Sequence, residues 1–306
     1  MTVHVFANIA TPYGTAANNR AETEGNITTL QKLIWYGQPH STVSAEAIRF
    51  ALRRLLAAID DKGTNRTWNE DERVNQWKDA KFEGWNGKAG EIFIDDDLLG
   101  FMTAEAASEE GKAGSANVRR AVLEVTRAVS LTSWAGDVTF NAASPGATPS
   151  AQKRGANPVP YGTEVHATRY QFGLAMTPQR LRDSSRAVKA IRAVSQLRTV
   201  AGNHGRFLFD FSPESIVLRI TDDPAPRLLY CFETEDDGKT VEAPALVRRV
   251  KAGDISPDEL ILGGPIGNSQ TGKALKDAGI QAIHEGVKAA IDDASTRIDK
   301  AIQKVR

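Results

Sequence analysis

The chain has 306 residues and a mass of 33.1 kDa, with 41% hydrophobic and 25% charged side chains and a mean hydropathy of -0.35. That composition excludes a disordered chain, and the length suits roughly two domains or one large domain carrying insertions. The 38 basic and 38 acidic side chains cancel, which excludes a uniformly basic nucleic-acid coat but leaves room for a local basic stripe.

The single cysteine, Cys231, excludes an internal disulfide and a multi-thiolate zinc site. Its setting, PRLLYCFE, reads as a strand holding a buried structural thiol. The five histidines are dispersed and form no HExxH, so no metal and no cofactor is expected. The start, MTVHVFANIATPYG, lacks a cationic region and a long apolar run, and no stretch of about 18 apolar residues follows. No membrane association is expected, and the default location is the cytoplasm.

Taken in order, Thr2 to Ile9 alternates as a strand, and TPYGTAANNRAETEGN reads as a long irregular segment of the kind that binds something. TTLQKLIWY reads as a short helical piece. A strong helix starts near Ser44, which can cap it, with Ile48, Leu52, Leu55, Leu56 and Ile59 on one face and Arg49 and Arg53 on another. Residues 60–117 turn polar, carry three of the five tryptophans and include the strand-like EIFID, which marks an inserted subdomain.

A long strand is expected from Arg119 to Trp134, with Leu123, Val125, Val129 and Leu131 on one side. SPGATPSAQKRGANPVPYG then reads as an extended, mobile excursion. The strand TEVHATRYQFGLAM follows, then a helix from Pro178 to about Val200 with Ala187, Ile191, Val194 and Leu197 inward and Arg186, Lys189 and Arg192 outward. The turn AGNHG leads into RFLFDF and SIVLRI, which read as a hairpin. From Gly272 to Arg306 a solvated surface helix is expected. Without insertions the order is strand, helix, strand, strand, helix, strand: an α+β fold of ferredoxin-like or RRM-like type.

Four chemical temptations compete. GNSQTGKA, Gly267 to Ala274, has the phosphate-loop spacing, but Ala274 offers no hydroxyl for magnesium, so a Gly-rich turn capping a helix is preferred. Asp95-Asp96-Asp97, Glu109-Glu110 and Glu235-Asp236-Asp237 read as solvated acidic loops. His40 and Ser44 with an acid lack the G-x-S-x-G elbow of a hydrolase. Phe207, Phe209 and Phe211 alternate as base-stacking aromatics do, although three phenylalanines on one face read better as core.

ANIATPYGTAANNRAETEGNITTLQKLIWYGQPHSTVSAEAIRFALRRLL closely resembles the N-terminal signature of the DevR/Cst branch of the Cas-seven proteins, backbone subunits of type I CRISPR effector complexes (Cascade). IFIDDDLLGFM and GNHGRFLFDFSPESIVLRITDD also resemble that family, in the same order. The resemblance implies an RRM-like palm in three parts (1–59, 118–134, and 166–306 with a C-terminal helix). It further implies a fingers insertion at 60–117 and a thumb insertion at 135–165. It implies a type I-B-like, cytoplasmic subunit that polymerises along a CRISPR RNA as a helical filament. Target DNA would be reached through the guide, beside Cas-five, Cas-six and Cas-eight type subunits.

Carried over by position, Asn18, Asn19 and Arg20 approach the RNA backbone, as do Ser44, Arg49 and Arg53 and the turn Gly202, Asn203, His204 and Arg206. Lys153 and Arg154 are added from the composition of the thumb. The related type III subunits cut RNA with an N-terminal-loop aspartate; from Ala10 to Val43 there is none here, so no catalysis is expected. A regulatory RRM-like RNA-binding protein and a phosphate-handling enzyme using Gly267 to Lys273 remain the alternatives.

Overall fold

The computed structural model describes residues 2–18, 22–87, 90–105, 115–146, 152, 155, 157–201 and 207–305. The N-terminal part runs β1 (His4–Ala10), β2 (Gly14–Ala16), β3 (Thr23–Glu24), β4 (Ile27–Thr28), β5 (Lys32–Trp35), β6 (Gln38–Val43) and α1 (Ala45–Ile59). Next come β7 (Arg66–Asn69), β8 (Val74–Trp77), α2 (Ile94–Leu99), β9 (Phe101–Glu105) and β10 (Ser115–Arg119). The middle holds β11 (Glu124–Val125), β12 (Ala128–Ser130), β13 (Val138–Ala143), β14 (Val159–Glu164), β15 (His166–Thr168), β16 (Tyr170–Met176) and α3 (Arg186–Ser195). The rest is β17 (Ser215–Thr221), β18 (Glu233–Glu235), β19 (Thr240–Glu242), α4 (Pro244–Lys251), β20 (Leu260–Gly263), α5 (Gln270–Asp277), β21 (Ile283–His284) and α6 (Val287–Val305).

At the centre, β17, β1, β16 and the β11–β12 pair lie side by side, each antiparallel to its neighbour. With α1 and α3 as the two crossovers, that is the strand order of a ferredoxin-like or RRM-like sheet. It is extended by β20 and β21 at one edge and by β6 and β5 at the other. Val5, Ala7 and Ile9 of β1 face Ile48, Leu52 and Leu56 of α1 and the apolar sides of α3 and α6 in one core. Phe6, Ala10 and Val217 face the other way, into a second core closed by Leu228, Phe232, Leu246 and Leu275. The central strand is therefore buried on both sides, in a sheet sandwiched between two layers.

Several local expectations give way to tertiary structure. Leu33 to Trp35 is strand and not helix: Tyr36 (φ 49°) and Gly37 (φ 78°) close a two-residue hairpin that pairs β5 with β6. The irregular N-terminal segment contains β2, β3 and β4; β13, just before the excursion, pairs antiparallel with β14 at its end, and β14 pairs in parallel with β4. EIFID is no strand: Glu91 to Phe93 are irregular and Ile94 and Asp95 open α2, where three carboxylates in the first turn suit the positive end of a helix and find buried donors. The long strand 119–134 is broken where Thr126 donates its N–H to Gly173 O (2.9 Å) and accepts from Gly173 N (2.8 Å).

The helix expected from Pro178 is a single 3-10 turn, and α3 starts only at Arg186. No hairpin joins Phe207–Phe211 to β17; Phe209 and Phe211 pack against Tyr170 in the core, as the core reading required. Gly272 to Arg306 is two helices, and α6 buries Ile291, Ile298 and Ile302 instead of lying solvated. The segment around Cys231 is no strand, yet the thiol is buried, which pushes its pKa up to about 12.

Candidate nucleic-acid interface

Helix α1 presents Glu46, Arg49, Phe50 and Arg53 to a groove of about 820 Å³ walled by β7 on one side and the β9–β10 hairpin on the other. The helix begins where it does because Ser44 accepts a hydrogen bond from Ala47 N (3.2 Å), a side-chain cap. Arg49 donates Nη2 to Leu99 O. Arg66, at the start of β7, donates Nε to Asn75 Oδ1 (2.9 Å). Neither guanidinium makes an ion pair with a carboxylate among the described residues. Burial is the main cause that lowers both pKa values, with the positive charge of Arg53 adding to it. Glu46 and Asp95 offset this only in part, and neither makes an ion pair with them, so two partly desolvated cations near Arg53 form a site that an anion stabilises. Arg119 and Arg120 line the same groove.

Of the residues proposed from sequence, Arg49 fits this role best. Arg53 is divided: its Nε donates to buried Asp95 Oδ2 (3.2 Å). The Ser44 hydroxyl is spent on the cap. Asn18 is buried and donates Nδ2 to Thr42 O (2.6 Å), so it braces the end of β6. Asn19, Arg20, Lys153, Arg154, Gly202, Asn203, His204 and Arg206 lie outside the described residues. Arg66 was missed because it sits in the polar insertion and reaches the groove only through tertiary packing.

The solvated reading of Asp95-Asp96-Asp97 is wrong: they are 2%, 4% and 0% exposed. Asp95 accepts from Asn65 N (2.8 Å) and Arg66 N (3.2 Å), which ties the start of β7 to α2, while its bond from Arg53 Nε ties both to α1. Asp96 accepts from Asn65 Nδ2 (2.9 Å), and burial, with the charge of Asp95 added, pushes its pKa up to about 7. Asp97 accepts from Arg182 N, Asp183 N, Arg119 Nη2 and Arg186 Nη1. The outward reading of Arg186 therefore also fails, and Lys189 pairs with Asp60 (2.7 Å). Glu235-Asp236-Asp237 is exposed, as read.

A second set of contacts braces the base of the β13–β14 hairpin. Glu164 accepts from Leu30 N (2.7 Å) and pairs with Lys32 (2.5 Å), whose ammonium lies 3.9 Å from the Trp134 ring centre. Trp134 donates Nε1 to Val165 O (2.9 Å). Beneath it, Ser41 Oγ meets His166 Nδ1 and the Tyr170 hydroxyl, each at 2.7 Å. Burial lowers the His166 pKa to about 4, so the imidazole is neutral there.

The alternatives fare poorly. On the sheet face away from α1, Gln171 donates to Phe232 O (3.0 Å) and accepts from Phe232 N (3.1 Å), while Asn8 accepts from Tyr230 N (3.0 Å). The central strands are thus covered where an RRM would stack bases. At the Gly267–Lys273 loop, Glu242 accepts from Ser269 Oγ, Gln270 N and Thr271 N (2.7–3.1 Å), so a carboxylate of the chain fills the place of a phosphate. Among the described residues no cluster of His, Cys, Asp and Glu fits a metal ion, and no helix is long and apolar enough to cross a membrane.

Residues 13–196 match a family model described as CRISPR-associated negative auto-regulator DevR/Csa2. A protein of Myxococcus xanthus (strain DK1622) described as CRISPR-associated protein Cas7/Cst2/DevR is 59% identical over 300 residues, covering 98% of this chain and 99% of that one. A solved chain of a CRISPR RNA-guided surveillance complex has a TM-score of 0.56 at 16% identity, covering 97% of this chain and 99% of its own length. Another, from a pre-nicking surveillance complex, has a TM-score of 0.53 at 12% identity, covering 97% and 100%. At such identities the two solved chains speak to the fold.

Proposed function

Since the chain belongs to the DevR/Csa2 family of CRISPR-associated proteins, we propose that it is a CRISPR RNA-binding backbone subunit of a type I Cascade complex. The observation that carries this reading is the groove on α1, where Arg49 and Arg66 stand partly buried with no carboxylate ion-paired to them among the described residues. Such a groove holds a phosphodiester backbone without reading its bases, which leaves them free to pair with target DNA. Copies of the chain follow one another along the guide beside other Cascade subunits, in the cytoplasm, and the subtype is type I-B-like. Residues 60–117 act as fingers, 135–165 as a thumb, and the rest as a palm. The covered sheet face and the carboxylate-filled loop at Glu242 favour a scaffold without catalysis over the two alternatives.

Nuclease footprinting of the chain co-expressed with a CRISPR RNA and its partner subunits tests this. A ladder of protected positions at constant spacing is the expected result. Bound RNA without periodicity would reduce the reading to generic RNA binding, and a preparation free of RNA would overturn it.

A further inference from the structure

A second groove, of about 710 Å³, lies on the opposite side of the sheet from α1, between the tip of the β5–β6 hairpin and α4. Its floor is Ser130 and Gln171. One wall is aromatic: the Trp35 ring lies 5.4 Å from Tyr36 at 76° and 5.2 Å from Tyr230. Tyr36 is 91% exposed, yet it is carried on a two-residue turn, where a ring is presented at little cost in chain entropy. The other wall is basic. Arg248 is exposed and its guanidinium makes no hydrogen bond or ion pair with a described residue, and among the described residues the Arg249 guanidinium donates only to Arg227 O. Glu233 is the only acid in the lining.

An uncovered aromatic ring stands here opposite two guanidinium groups that pair with no carboxylate among the described residues. An unpaired nucleic-acid strand satisfies both walls at once, since each nucleotide brings a π-face and a phosphate. A protein partner would be expected to meet more aliphatic surface than Leu131 and Leu229. We infer that this groove binds a single-stranded nucleic acid, a base stacking on Tyr36 and Trp35 while phosphates meet Arg248 and Arg249. The central strands of the sheet are sealed, so the stacking platform has moved to the edge hairpin. From Gly37 to Ser44 the strand β6 spans roughly 20 Å, which keeps this groove clear of the one on α1. A guide segment and a displaced DNA strand share this chemistry.

The test uses the chain purified with its guide, so that the α1 groove is filled, and titrates labelled oligo(dT) and oligo(U) unrelated to the guide. Tyr36→Asn removes the ring but tolerates the positive φ of the turn; Tyr36→Phe keeps the ring. Tyr36→Asn should weaken single-strand binding about tenfold, with Tyr36→Phe close to the parent. Arg248→Ala with Arg249→Ala should lower the slope of log affinity against log salt by about 1.4. Preference for oligo(dT) would assign the site to a DNA strand, and preference for oligo(U) to RNA. Guide retained with oligonucleotide binding unchanged in all variants would overturn this site alone. Loss of a co-purifying protein from Tyr36→Asn with unchanged oligonucleotide binding would overturn it in favour of a protein partner. Failure to retain guide in the parent chain counts against the backbone-subunit reading instead, and the same titration then proceeds on the free chain.

Discussion

Arg186 donates Nη1 to Asp97 Oδ2 at 2.9 Å, the carboxylate fully buried and the guanidinium side chain 9% exposed. The pair ties α2, within residues 60–117, to the first turn of α3. Arg182 N and Asp183 N reach the same carboxylate, so one side chain organises the loop before α3 as well. Removing one partner of such a pair leaves a buried charge exposed to a low-dielectric interior. Asp97→Ala should therefore cost about 4 kcal/mol in a urea melt, and Arg186→Met in the same background should recover part of it. A loss below about 1 kcal/mol would show that the network is dispensable.

Arg53 and Arg66 should separate in their effects. Arg66→Ala removes an unpaired cation at a groove wall, so it should lower the salt slope for guide RNA by about 0.7 per subunit and leave the melt nearly unchanged. Arg53→Ala leaves Asp95 without its guanidinium and should cost about 3 kcal/mol of stability. Equal stability losses in the two variants would refute the division of labour. A charge reversal at Arg49 and Arg53 together is a poor probe of binding, because it places a third carboxylate beside Asp95 and Asp96.

The pH dependence has two signs. Asp96 has its folded pKa raised to about 7, so its contribution is complete below the ordinary aspartate range and is lost as pH rises through 7. Asp96→Asn should thus melt higher than the parent at pH 8, by on the order of 2 kcal/mol, with the gap closing toward pH 5. His166 has its pKa lowered to about 4, so its contribution is present above 6.5 and is lost as pH falls toward 4. Melting curves of the parent and of Asp96→Asn between pH 4 and 9 check both signs; curves parallel at high pH would remove the Asp96 assignment, and a parent curve flat toward pH 4 the His166 one.

Gly100 ends α2 at φ 67°, and a Cβ there would lie 2.2 Å from Arg119 O and 2.7 Å from Ala121 N. Both are backbone atoms that cannot swing away. Gly100→Ala should cost about 3 kcal/mol or more in the same melt, and a neutral result would contradict this path of the chain.

Glu242 and Lys273 test the rejected phosphate loop. Glu242→Ala uncovers the first turn of α5 and should cost about 1 kcal/mol. Lys273→Ala should leave guide retention and stability unchanged. Nucleotide hydrolysis that vanished with Lys273 would reopen the enzymatic reading.

Much of the palm was legible because its signals are local. Ser44 before an apolar stripe at Ile48, Leu52 and Leu56 specifies a capped amphipathic helix, and alternation marks β1, β16 and β17. TTLQKLIWY reads as helix because it carries no strong β pattern of its own; pairing with β6 makes its second half strand β5. The IDDD run after EIF was harder to read, since Asp95 and Asp97 find their donors on Asn65, Arg182 and Arg186, far along the chain.

By itself the sequence determined the order of palm elements, the cap of α1, the inertness of Cys231 and the family to which the motifs point. Each of these rests on neighbours within a turn or a strand, or on a long continuous motif. Only the tertiary structure decided that three adjacent aspartates are buried locks, that Arg53 is partly committed, and that Arg66 completes the groove with Arg49. Charge says nothing about exposure: a carboxylate or guanidinium is solvated or buried according to the partners that folding brings to it from distant parts of the chain.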